Sequence, residues 1–355
     1  MKKWTFNILI LFLVLNTATT FAQVEKTKKV SKSYTVSNTT ALNIDNKYGK
    51  VHINTNNGNT IKVDVTMVGR SSSGERAQDI LDNLKVDVVE GNEISFRSGI
   101  ISSIRSSRRW KRKGTRSFEI NYLISMPKNI KLKVKNKFGS VFLGDYIGEL
   151  DLYVAYGSIK AGKITNVEDK KIKVAFGSAD IDQVEQGELT IAYGSLKLDN
   201  GKKLLVKNSF STMEIRDIQD LDITSKYGTV NITKVNNLSG SSSFDTFKIG
   251  ELNNNCTLKL KYAKGFEVSR VNKNFKKIDI DGQFSAMELR FDEGASFDYE
   301  VNTKFGKLKA ALRQKMKIRK QIEQTNSNYY EGKYGQGNAK SKVTIKSKYG
   351  SVRIK

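Results

Sequence analysis

Twelve times along the chain, an aromatic residue closes a run of alternating apolar positions and a small residue opens another. The aromatic stands at Tyr48, Phe138, Tyr156, Phe176, Tyr193, Phe210, Tyr227, Phe244, Tyr262, Phe284, Phe305 and Tyr349. From 138 to 305 the copies recur every 17 to 22 residues, and Gly follows the aromatic in eight of the twelve. IAYGSLKL (191–198), VAYGSIKA (154–161) and SKYGTVNI (225–232) are typical. Before the aromatic, apolar residues lie two apart, as in Leu189 and Ile191 or Leu258 and Leu260. After it they resume with shifted parity, as in Leu196 and Leu198 or Val230 and Ile232. Period two on each side reads as two strands. The shift reads as a corner at a position where a Cβ is often unwelcome. Val184, Ile218 and Val235 suggest a short third side.

A single repeat of this kind cannot bury its own apolar face. Stacking like rungs on one another does, with each strand pairing to its equivalent in the next rung. The expected fold is therefore all-β, a parallel β-helix (β-solenoid) of about 17–22 residues per rung. Rungs about 4.8 Å apart would give a rod on the order of 50–65 Å. Propellers and sandwiches need four strands per blade, or hairpin turns every 8–12 residues, and fit the period poorly.

Two stretches interrupt the repeat. Residues 55–129 read as an N-terminal capping insertion. Within it IKVDVTMV (61–68) alternates as a strand, and Ala77, Ile80, Leu81 and Leu84 share one face of a helix near 75–84. Residues 105–116, RSSRRWKRKGTR, lie between two strands and read as a basic hairpin tip. The second insertion, 311–340, precedes a final rung. Its GKYGQGNA reads as a loop, and ALRQKMKIRKQIEQ fits either an extended strand or a short helix.

The N-terminus bears on compartment. Lys2 and Lys3, the apolar run Ile8 to Leu15 and Thr20-Phe21-Ala22 predict a signal peptide over 1–22, too short for a membrane anchor. Residues 23–355 would then form one exported solenoid domain, placed in the periplasm, on the outer-membrane surface or outside the cell. With one Cys there is no internal disulfide. The chain carries 61 basic and 36 acidic side chains, a net charge of +25, with one His. Few catalytic or metal schemes can be assembled from that set.

With its signal peptide, its [YF]-G-[ST] phrases, its helix-bearing insertion and a closing YGSVRI, the chain resembles a family of bacterial adhesins. That family was once known only as a domain of unknown function, and is related to the head GIN-domain adhesins. The resemblance spans essentially the whole mature chain. It implies a right-handed parallel β-helix at the cell surface or in the periplasm, and implies no catalytic motif.

Candidate sites follow from the columns that stacking would create. The aromatics share parity with the buried Leu and Ile of the first strand, so they are expected to stack in the core; a platform for sugar rings is the rival. Ser140, Ser158, Ser178, Ser195, Thr212, Thr229 and Thr246 form a hydroxyl column. Lys160, Asp180, Lys197 and Glu214 form an outward column of alternating charge. The acids Asp180, Asp182, Asp222 and Asp281 are not expected to converge. Cys256 has core parity, and His52 reads as an ordinary surface residue. The outward positions one and three residues before the aromatic hold eleven Lys against two Asp. Lys135, Lys173, Lys207, Lys226 and Lys259 are expected to form one stripe, with Lys137 and Lys261 beside it. The hairpin adds Arg105, Arg108, Arg109, Lys111, Arg112, Lys113 and Arg116, which can grip phosphate or carboxylate in bidentate fashion.

The reading is a secreted or envelope-associated, adhesin-like binding protein without catalysis. It would contact anionic polysaccharide, lipopolysaccharide or another envelope polyanion through the basic face. No cofactor, metal, transmembrane segment or dedicated nucleic-acid recognition is expected. A polysaccharide lyase or hydrolase on the same scaffold, and a purely structural periplasmic scaffold, are the alternatives.

Overall fold

The alternating segments form strands that pair in parallel with their equivalents one repeat away. The computed structural model describes residues 23–37, 39–101, 116–166, 170–310 and 313–355; the proposed signal peptide lies outside them. Strands Ser178–Ala192, Ser195–Ser209, Thr212–Lys226, Thr229–Ser243 and Thr246–Lys261 lie side by side. Between the first four, the register sets each residue against the one 17 positions on, as in Leu196, Met213 and Val230. Burial follows the alternation. Ile191, Leu196, Leu198, Ile223, Val230 and Ile232 are all buried, and so are Val184, Ile218 and Val235. β-branched and aliphatic side chains stand in register with their equivalents in the neighbouring strands.

All described strands, 26 of them, join one sheet, accompanied by one α-helix. The sheet is mixed, whereas the repeat predicted parallel pairing. The antiparallel pairs all lie in the two insertions and the segments they cover.

At the N-terminal end, Ala41–Lys47 pairs in parallel with Lys131–Lys137 on one side and Glu93–Ile100 on the other. Val51–Asn56 likewise pairs with Val141–Leu143 and Arg116–Pro127. The insertion thus adds one more layer to both walls before turning antiparallel. Arg116–Pro127 pairs with Thr60–Ser71, which pairs with the outermost strand, Val24–Thr35. The helix spans Gly74–Asp82, with Ser73 as N-cap accepting from the Arg76 N–H at 3.4 Å. It buries Ala77, Ile80 and Leu81 against Val24–Thr35 and Thr60–Ser71. Leu84 opens the next strand and is also buried.

At the C-terminal end, stacking order departs from chain order. Ser341–Lys348 enters between Lys277–Gln283 and Phe297–Lys304, parallel to both. Val352–Ile354 does the same between Met287–Phe291 and Leu308–Ala310. The last repeat is therefore the penultimate layer, which the linear order did not predict. Phe297–Lys304 is covered by an antiparallel hairpin, Met316–Glu323 and Ser327–Tyr334. The stretch left open between helix and strand is a 3-10 turn, Arg313–Lys315, followed by a strand. The predicted loop GKYGQGNA begins inside Ser327–Tyr334 and becomes a loop only at Gly335, where Gly335 and Gly337 take positive φ.

Candidate functional site

The corner after each first strand has a specific construction. All twelve aromatics have φ between 51° and 66°. A non-Gly residue in this left-handed region is uncommon, and costs roughly 1–2 kcal/mol. That φ turns the side chain away from the interior one residue before the parity count expects it. Eleven of the rings are 39% to 52% exposed, which corrects the expectation of a buried stack. Tyr48, at the end of the column, packs edge-on against Phe118. The backbone is held by the neighbouring layer, as where the Phe210 N–H donates to the Lys226 carbonyl at 2.9 Å.

The glycine that follows answers a different demand. A Cβ on Gly139 would lie 1.9 Å from the Gly49 carbonyl oxygen, and one on Gly157 2.0 Å from that of Gly139. Corner backbones of adjacent layers are in contact, so the side chain is removed there. Where a polar residue replaces Gly, it serves as an acceptor instead. Ser211 Oγ accepts from the Gly194 N–H at 3.1 Å, Asp245 Oδ1 from Gly228 at 2.5 Å and Ser285 Oγ from Ala263 at 3.0 Å.

The rings form one continuous ladder. Neighbouring centroids are 4.7 to 5.3 Å apart and neighbouring planes within 9° of parallel. Their faces are covered by one another, leaving no space for a sugar ring to stack between them; only edges meet solvent. The ladder also alternates without exception: Tyr48, Phe138, Tyr156, Phe176, Tyr193, Phe210, Tyr227, Phe244, Tyr262, Phe284, Tyr349, Phe305. In chain order the alternation fails, because Phe305 follows Phe284. The inserted C-terminal strand restores it by placing Tyr349 between them at 4.7 Å from each.

The lysines divide into two columns on the wall before the corner. Three residues before the aromatic stand Lys135, Lys173, Lys207, Lys259 and Lys346, all exposed. They are separated by neutral residues such as Tyr153, Thr190, Thr224 and Ser241, and by Asp281. One residue before it stand Lys47, Lys137, Lys226, Lys261, Lys348 and Lys304. Lys226 pairs with Ser209 and Ser243, so it belongs to this second column and not to the stripe through Lys207. The two positions differ by one pleat, which leaves both columns on one face. Some of this charge is engaged. Lys207 Nζ meets Glu188 Oε1 at 2.7 Å, Lys135 reaches Asp45 at 3.9 Å and Lys173 sits 5.7 Å above the Tyr153 ring. Of the basic segment, Arg116 begins Arg116–Pro127. Arg105, Arg108, Arg109, Lys111, Arg112 and Lys113 lie outside the described residues.

Other predicted columns stand in register. Lys160, Asp180, Lys197 and Glu214 are successive partners, and the Ser140 and Ser158 hydroxyls hydrogen-bond at 2.8 Å. His52 stacks 5.5 Å from Phe142 at the surface. Cys256 is buried, and burial pushes its thiol up to about 12.

The four acids occupy different places. Asp180 is in the charge column, Asp281 among the lysines and Asp182 in a recess beside His52. Asp222 lines a groove of about 660 Å³ with Glu188 and Asp220, a grouping that period and parity do not reveal. The hydrogen bond from Lys207 holds the Glu188 carboxyl below the usual range; a general acid at neutral pH needs the opposite shift. Among the described residues no three His, Cys, Asp or Glu are grouped to hold a metal ion, and no helix is long and apolar enough to cross a membrane.

No protein-family model and no curated protein matches the chain. Among solved structures it is similar to a candidate cell adhesion protein from Clostridium sporogenes, at 12% identity and a TM-score of 0.18, over 93% of this chain and 99% of that one. It is similar to a candidate lipid binding protein from Parabacteroides distasonis, at 12% identity and a TM-score of 0.25, over 92% and 96%. A candidate adhesin from the same species is also similar, at 12% identity and a TM-score of 0.24, over 92% and 97%. At these TM-scores the likeness carries no argument, and the function rests on the chain's own residues.

Proposed function

We propose that this chain is an exported, adhesin-like binding protein of the cell envelope. In this reading it winds as a right-handed β-solenoid rod and holds anionic surface polymers without catalysis. The observation that carries the binding reading is the lysine wall: two columns of exposed ammonium groups, in register, on one face. A polymer bearing phosphate or carboxylate at each unit meets a lysine at least at every second layer, whatever its exact sequence. Long lysine side chains tolerate mismatch in spacing, and the basic segment 105–116 supplies guanidinium groups for bidentate contacts. Neutral residues between the lysines limit self-repulsion along the column.

The test uses the mature protein with heparin and lipopolysaccharide as probes. Wild type is compared with the triple reversal Lys173→Glu, Lys207→Glu, Lys259→Glu, and with a variant carrying Ser at Arg108, Arg109, Lys111, Arg112 and Lys113. Wild type is expected to bind at low salt and weaken steeply as salt rises. Both variants are expected to bind less. Equal binding by all three, or none at low salt, would end the polyanion reading.

A further inference from the structure

We propose that two copies of this chain associate side by side and antiparallel through their aromatic ladders, each Tyr facing a Phe. Eleven rings more than a third exposed form a continuous apolar stripe. At 150–250 Å² per aromatic side chain, this offers on the order of 1,000 Å² per copy, enough for a stable interface of about 800 Å² per partner. Contiguous apolar stripes of this size mark interaction surfaces.

The ladder repeats at 4.7 to 5.3 Å, a spacing that only a partner with the same layer repeat matches over eleven steps. A second copy has it by construction. Ring faces are closed, so the partner must accept edges. The Tyr edge projects farther than the Phe edge by one hydroxyl, giving a surface of alternating ridges and recesses with a two-layer period.

A two-fold axis perpendicular to the ladder, midway between Phe210 and Tyr227, sets Phe210 against the partner's Tyr227. Outward from there it sets Tyr193 against Phe244, Phe176 against Tyr262, Tyr156 against Phe284, Phe138 against Tyr349 and Tyr48 against Phe305. Every ridge meets a recess. A parallel dimer in register would set Tyr against Tyr throughout. The complementarity needs the alternation to hold over the whole length, which it does only because the last strand inserts Tyr349 between Phe284 and Phe305. Packing within one copy places no such demand, since neighbouring rings stack equally well whether or not they carry a hydroxyl.

The same operation brings flanking lysines together at the two ends, Lys47 beside Lys304 and Lys137 beside Lys348. Nearer the centre, Lys226 faces Ser209 and Lys261 faces Ala175. The association is therefore expected to tighten as salt screens the ends. This is opposite to the salt response of polyanion binding, so the two readings fail separately.

Sedimentation of the mature protein at low and high salt is the first measurement. A particle of twice the monomer mass, favoured by high salt, is expected. Phe210→Asn with Tyr227→Asn should leave a monomer, because Asn tolerates the left-handed corner but removes the ridge and recess at the axis. Cysteine pairing fixes the register, and buried Cys256 leaves the background silent. Tyr156→Cys mixed with Phe284→Cys should give the covalent dimer. Tyr156→Cys alone should not, since its two copies would lie about 34 Å apart, seven layers of about 4.8 Å. A wild type that stays monomeric at both salts overturns the proposal, as does self-crosslinking of Tyr156→Cys. Loss of heparin binding in the Asn variant of such a monomeric protein would assign the ladder to the polymer instead.

Discussion

At the scale of single residues, the aromatic corner is where local preference and tertiary packing conflict. A left-handed φ is unfavourable for Phe and Tyr, yet all twelve adopt it. Ring stacking, worth about 0.5–1.5 kcal/mol per pair, and the hydrogen bond from each aromatic N–H to the next layer offset the strain. Replacing Phe210 therefore separates two effects. Phe210→Asn loses the stack but keeps a residue that accepts the backbone. Phe210→Val loses the stack and adds a β-branched carbon where φ is 52°. Urea unfolding should place Phe210→Val below Phe210→Asn by roughly 1–2 kcal/mol. Equal stabilities would mean that the corner backbone is not strained. The parity of Ile191, Leu196 and Ile223 was legible in the sequence because extended backbone alternates faithfully. The exposure of Tyr193 was not, because one positive φ ends the alternation a residue early. Lys226 stands one residue before Tyr227, not three, and so falls in the neighbouring column; both positions point the same way, so outward parity alone does not separate them.

At the scale of elements, each layer contacts only its neighbours, so damage should stay local. The inserted strand Ser341–Lys348 offers a clean test. Ile345 is buried and lies in register between Ile280 and Val301. Ile345→Ala should cost about 2–5 kcal/mol. Amide hydrogen exchange should quicken over 277–304 while protection persists over 178–243. Uniform loss across both regions would show that the sheet melts as one unit. Helix Gly74–Asp82 was readable from the i, i+3, i+4 spacing of Ala77, Ile80 and Leu81. The insertion of the last strand was not, because period and parity say which segments are equivalent but not in what order they stack. A signal was nonetheless present: Tyr and Phe alternate down the chain until Phe284 and Phe305 stand together, and placing Tyr349 between them mends the pattern. Which residues contact a polymer was the least legible, since solvated and functional lysines follow the same outward pattern.

At the scale of the whole molecule, charge sets the response to pH. Lys202 holds the Glu185 carboxyl below its usual range, Lys207 does so for Glu188, and Lys355 with Arg353 for Glu288. Carboxyls depressed in the folded state stabilise it above their ordinary value of 4.5, and that contribution is lost as pH falls through the lower folded values. On the alkaline side, burial and the Glu90 hydrogen bond push Tyr34 up to about 12 from 10.0. Stability from this group is full below pH 10 and is lost as pH rises toward 12. Thermal melts should show a plateau at neutral pH, a decline below 4.5 and a second decline above 10. Acid should be the more damaging, because every protonated carboxylate adds to a net charge already at +25. A melting temperature unchanged between pH 7 and pH 3 would show that these ion pairs contribute nothing.

Chain order and stacking order part company near residue 297, and this bears on biosynthesis. A chain emerging from its N-terminus can add layers one at a time until Phe297–Lys304, which must wait with a vacancy beneath it. Residues 341–354 fill that vacancy. A nascent or truncated product lacking them would hold two parallel backbone edges apart with nothing between, a slot shaped for any extended peptide. Maturation thus has a built-in check: a segment synthesised after both of its neighbours locks the layers on either side of it.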